Sequence, residues 1–154
     1  MKGRIPPVRH SGCHHSAICT RDWDTSMRFW TDGMGLVELF EGTMPGAWTT
    51  LFGASGDTLR SAFLHDPIVD DAGIVELVEF PSGIDDGTHG ERPTVGFFLL
   101  SFYVDVDAVL GRLTTLGLGG APRRIEVPGR TGPVQMAVVR DPNGVLVELI
   151  GLPA

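Results

Sequence analysis

A chain of 154 residues, 42% hydrophobic and 20% charged, is sized and composed for one soluble folded domain whose core needs no disulfide or metal to hold it. Nineteen acidic against twelve basic side chains leave a formal charge of -7, which repels phosphate backbones and anionic lipid and so argues against nucleic acid and membrane surfaces as partners. Lys2 is the only lysine, which argues against Schiff-base chemistry, and with no apolar run near spanning length and no targeting signal the expected location is the cytoplasm.

In chain order, the first strand-like run is His14-His15-Ser16-Ala17-Ile18-Cys19, followed by Asp22 as a helix N-cap. A helix near Thr25 to Asp32 places Met27 and Trp30 three apart and stops at Gly33 and Gly35. Three strands follow, Leu36 to Glu41, Leu59 to His65 and Ile74 to Phe80. The irregular stretch Gly42 to Gly56 is read as a short helix or a lid, and 82–93 as a linker. After the apolar run Phe97 to Leu100 the order repeats. Asp105 caps a helix carrying Val109, Leu110, Leu113 and Leu116 on one face and ending at Gly117. Strands Arg123 to Val127, Val134 to Arg140 and Val145 to Ile150 complete it, the last two joined by the turn Asp141-Pro142-Asn143-Gly144. Asp22-Trp23-Asp24 and Asp105-Val106-Asp107 mark equivalent points of an internal repeat. Cys13 and Cys19 are read as free thiols, since residues six apart on one strand cannot bond to each other.

Strand alternation decides which side chains share a face. His15 lies with Ala17 and Cys19, and His14 with Ser16 and Ile18. Glu76 shares a face with Val78, Glu148 with Leu146 and Ile150, and each glutamate sits in a Val-Glu-Leu tripeptide at the same place in its repeat. Taken singly, a strand glutamate is a solvated residue and a histidine pair is structural. Together, one imidazole and two carboxylates at repeat-related positions are donors suited to a divalent ion.

The opening His14 to Cys19 run, Asp22, Phe29-Trp30, Gly33-Met34-Gly35-Leu36 and the closing Asp141-Pro142-Asn143-Gly144-Val145-Leu146-Val147-Glu148-Leu149 resemble the vicinal oxygen chelate superfamily of glyoxalases, bleomycin resistance proteins and extradiol dioxygenases. The resemblance implies an α+β fold over residues 12–152. Two βαβββ modules, 12–81 and 94–152, form a curled mixed sheet with an open cup, and the assembly is a homodimer. It also implies that His15, Glu76 and Glu148 bind a divalent metal, whether zinc, manganese, iron, cobalt or nickel. Glu76 or Glu148 then serves as the base of a lyase or isomerase that works through an enolate on a small oxygen-bearing substrate.

At the fifth strand, where the family often has histidine, this chain offers Phe98 or Leu99, which counts against an extradiol dioxygenase. The alternatives are a metal-free binding or resistance protein that sequesters a small molecule such as an antibiotic, and a metal-free isomerase or cyclase. Trp48, Phe63, Phe98, Leu99 and Met136 are the candidate lining of the cup. His14 and Glu79 are expected to stay outside it.

Overall fold

The computed structural model describes residues 13–52, 54–69, 73–81 and 97–152; the 82–93 linker lies outside them. The first half runs β1 (His15–Cys19), α1 (Trp23–Arg28), β2 (Val37–Pro45), α2 (Trp48–Phe52), β3 (Thr58–His65) and β4 (Ile74–Glu79). The second runs β5 (Leu100–Val104), α3 (Val106–Leu116), β6 (Gly119–Pro128), β7 (Pro133–Arg140) and β8 (Leu146–Gly151). Each half therefore has the βαβββ order that its sequence predicts, with α2 inserted between β2 and β3.

Local chemistry sets the helix ends. Asp22 accepts the Thr25 backbone N–H at 3.1 Å and Asp105 that of Ala108 at 3.0 Å, so both act as N-caps. Beyond α1 the chain widens into a π-type turn, Phe29–Gly33, in which the Met34 N–H reaches the Phe29 carbonyl. The predicted helix thus exists, but starts two residues early and changes pitch halfway. α3 ends at Gly117, held at φ 67°, a left-handed conformation that glycine adopts without a Cβ clash.

The strands form two four-stranded mixed sheets, ordered β1-β4-β3-β2 and β5-β8-β7-β6. The pairs β1–β4 and β5–β8 are parallel and the rest antiparallel. β2 runs four residues past its predicted end, to Pro45, while β6 begins four residues before its predicted start, at Gly119, and ends one later, at Pro128; each has a register break.

One core serves both halves. Val75 and Leu77 of β4, Val147 and Leu149 of β8, Phe29 and Trp30 of the π turn, and Val106, Val109 and Leu113 of α3 are buried in a single cluster. A Cβ on Gly33 would lie 2.4 Å from Leu113 Cδ2, so the turn and α3 meet with no room for a methyl group. Because side chains alternate along a strand, residues between these core positions project from the opposite face of each sheet, away from the shared core. Glu76 and Glu148 are two of them. Among the described residues, no helix is long and apolar enough to cross a membrane.

Candidate functional site

On the outer face of the first sheet, parallel pairing puts Ala17 beside Glu76 and antiparallel pairing puts Phe63 on its other side. His15, two residues before Ala17, reaches forward so that its Nε2 lies 3.2 Å from Glu76 Oε2. The second carboxylate oxygen accepts the Ser61 hydroxyl at 2.6 Å. Glu76 is buried at 8% exposure although it faces away from the core. A carboxylate so enclosed is tolerable because both its oxygens are engaged. The His15 ring meets the edge of Phe63 at 5.5 Å between centroids, and Phe63 in turn meets Phe40 at 6.2 Å. Cys19 lies on the same face, and its thiol is pushed up by burial first and by the Glu76 charge second, so it stays protonated and is a poor nucleophile. Cys13 and Cys19 are both free.

The second sheet repeats this geometry with different neighbours. Glu148 pairs with Ser101, whose hydroxyl donates to its Oε1 at 2.8 Å. Among the described residues its other oxygen has no partner. Val138 stands where Phe63 stands in the first sheet, Met136 where Ser61 does, and Arg123 where Phe40 does. Ala17 opposite Glu76 and Ser101 opposite Glu148 are equivalent, so the counterpart of His15 is Leu99 rather than Phe98. Register thus settles a choice that counting back from Asp105 left open.

The predicted site residues are accordingly divided. His15 and Glu76 touch, with Phe63 against the histidine. Glu148 is on the other sheet, with Met136 on its face. Among the described residues no three of His, Cys, Asp and Glu gather into a group able to hold an ion. Leu99 and Phe98 both precede β5, Leu99 half-buried and Phe98 exposed. Trp48 is on α2 rather than on a sheet face. It stacks on Phe52 at 5.6 Å and donates its indole N–H to the Met44 carbonyl at 2.9 Å. Met44 pairs with Leu59 of β3, so this contact lies about 14 Å along the strand from Phe63.

His14 departs from expectation, since its Nδ1 lies 2.9 Å from His15 Nδ1. β1 begins at His15, so His14 precedes the strand and alternation does not bind it. Ser61 and Ser101 were not singled out from sequence. Their signal was present, two residues before Phe63 on one strand and two after Leu99 on the other, but a serine on a strand has too many ordinary uses to stand out.

The Glyoxalase/Bleomycin resistance protein/Dioxygenase superfamily matches residues 12–149. The chain belongs to this superfamily. Lactoylglutathione lyase-like protein terB of Aspergillus terreus is 34% identical over 155 aligned residues, covering 96% of this chain and 79% of terB. A glyoxalase family protein from Bacillus cereus superposes with TM-score 0.76 at 22% identity, covering 97% of this chain and all of that one. The fosfomycin resistance protein FosX of Listeria monocytogenes, in complex with Mn(II) and a dihydroxypropylphosphonic acid, has the same fold at TM-score 0.57 and 16% identity over 92% of each chain. In this fold Glu76 and Glu148 project from the faces of the two sheets that are turned away from the shared core.

Proposed function

We propose that the protein is a divalent-metal-dependent lyase or isomerase acting on a small substrate with neighbouring oxygens, and that it works as a homodimer. The observation that carries this reading is the His15–Glu76 contact, an imidazole and a carboxylate converging at 3.2 Å on an aromatic-walled face. Imidazole nitrogen and carboxylate oxygen are donors that first-row divalent ions accept, so the pair fits such an ion as two of its ligands. Glu148 is the third donor in the set. It projects from a sheet face turned away from the core that both sheets share, so the complete set forms where the first module of one copy meets the second module of another. Apolar side chains on those outer faces support this pairing, because Phe40, Ile125 and Tyr103 are 42%, 58% and 68% exposed in the single chain.

The two carboxylates have different tasks. Both oxygens of Glu76 are engaged, by Ser61 and His15, so Glu76 holds. Glu148 has one oxygen bonded to Ser101 and the other without a partner among the described residues, so it is the group able to take a proton from carbon beside a carbonyl. A bound ion would supply Lewis-acid polarisation of the substrate oxygens. Ser101 fixes the Glu148 carboxylate plane, with Met136 and Val138 as its apolar neighbours on the same face.

The test is a zinc or manganese titration of protein first stripped with chelator, followed by a lyase assay with lactoylglutathione, the compound in the name of terB, alongside a panel of 2-oxo and vicinal diol compounds. One ion per chain and turnover lost in Glu148→Gln are expected. Small-molecule binding that is indifferent to chelator, with no turnover of any compound, would replace this reading by sequestration, which Leu99 in place of a second histidine favours.

A further inference from the structure

The carboxylate of Glu76 fixes where protons sit on its neighbours. An ionised carboxylate only accepts, and Ser61 already donates to Oε1, so attraction at Oε2 requires the proton of His15 on Nε2. A neutral imidazole protonated there carries a bare lone pair at Nδ1. His14 Nδ1 stands 2.9 Å from that lone pair and must carry a proton itself. The two rings stand edge to face at 87°, their centroids 5.2 Å apart, and Phe63 lies against both, at 6.4 Å from His14 and 5.5 Å from His15. Phe63 thus forms a floor that limits how either ring can turn.

We propose that His14 is the positioning residue of the His15–Glu76 pair, fixing the tautomer and the rotation of the His15 ring through the Nδ1–Nδ1 hydrogen bond. It touches no substrate in this account and acts only through His15. The contact serves in either state of the site. With Nε2 turned to Glu76, His14 donates; were His15 to give Nε2 to an ion, its proton would sit on Nδ1 and His14 would accept it. The inference rests on reading His15 and Glu76 as the working pair of the proposed function.

Long-range proton–nitrogen correlation spectra of the ¹⁵N-labelled full chain at pH 8, above the ordinary histidine range, read each tautomer directly. Without added metal, His14 is expected to carry its proton on Nδ1 and His15 on Nε2. In His14→Ala the His15 nitrogens should move towards the tautomer average, whereas His14→Gln, whose amide can donate to Nδ1, should keep them in place. In a zinc titration His14→Ala should weaken binding by about ten-fold or more, the cost of removing a group that orients a ligand, and His14→Gln should recover most of it. His14 protonated on Nε2, with His15 spectra and zinc affinity unchanged in His14→Ala, would overturn the proposal. A chain that binds no zinc yet shows the paired tautomers and their loss in His14→Ala would overturn the metal reading and uphold the role of His14.

Discussion

The two modules carry the same glutamate at the same register position and surround it differently. Glu76 has an imidazole beside it, a serine on a neighbouring strand and phenylalanine on its flank; among the described residues Glu148 has Ser101 alone as a hydrogen-bond partner, with Val138 and Met136 where the first module has Phe63 and Ser61. The scaffold places a carboxylate on each outer face, and the neighbours decide what it does. A carboxylate with both oxygens bonded is fixed, and one with a spare oxygen can react.

Breaking that division gives the largest expected effect. Glu148→Gln should lower turnover by about a hundred-fold or more, the usual range for loss of a general base, while thermal stability and oligomeric state stay as in wild type. Glu76→Gln should instead weaken ion or ligand binding first, because an amide cannot accept from both Ser61 and His15 and present the same charge. Titration of binding beside single-turnover rates separates the two. Equal losses of both kinds in both variants would erase the proposed distinction.

The turn before the last strand of the second module ties the two modules together. Asp141, between β7 and β8, is buried at 4% exposure. Its Oδ1 accepts the backbone N–H of Asn143 and Val145, and its Oδ2 the Asn143 amide. Asn143 continues to Ser26 of α1 at 3.0 Å, tying the second module's hairpin to the first module's helix. In Asp141→Ala those donors lose their acceptor, at a cost of about 2–4 kcal/mol by urea denaturation.

Burial pushes the Asp141 pKa above 3.8, against the pull of its hydrogen bonds. A raised folded-state pKa means that the folded chain binds this proton more tightly than the unfolded one. The stability owed to Asp141 therefore rises as pH falls through its raised pKa towards 3.8, and is lost as pH rises through the same window. The stability gap between wild type and Asp141→Ala should widen on acidification across that window. Asp22 has the opposite sign, its pKa lowered by bonds from Thr25, so its contribution fades as pH drops through its folded pKa.

Smaller effects probe how the modules are joined. Gly33→Ala forces a methyl against Leu113, which is 1% exposed and closely surrounded, and should cost about 1–3 kcal/mol. Asp105→Ala, removing only an exposed N-cap, should cost about 1 kcal/mol. A Gly33→Ala chain as stable as wild type would show that the two modules do not depend on that contact.

Much of this was legible in the sequence because alternation and capping are local. The facing of Glu76 and Glu148, the caps Asp22 and Asp105, the helix stop at Gly117 and the turn at Asp141 all follow from residues within a few positions of one another. What was not legible depended on counting across a loop. Ala17 and Ser101 are 84 positions apart while Asp22 and Asp105 are 83 apart, so the strand-to-cap connection is one residue longer in the first module, and only pairing with β4 and β8 shows that Leu99 answers to His15. The contact of His14 is hidden for a related reason, since this residue stands one position outside the strand, where alternation does not hold. Trp48 has no strand periodicity to give it a face, and only the structure shows that it stands on α2.

Two crippled chains mixed together give the most direct test that the working site spans two copies. His15→Ala leaves the second module intact and Glu148→Ala, which removes the oxygen donor that glutamine would keep, leaves the first. Each alone should lack the complete donor set and bind zinc weakly. Unfolded, mixed in equal amounts and refolded, the chains should form mixed dimers in which one site has both intact modules. Random pairing then restores about a quarter of the wild-type number of tight zinc sites. That recovery is the predicted result; a mixture that binds no more tightly than its two components would contradict the account.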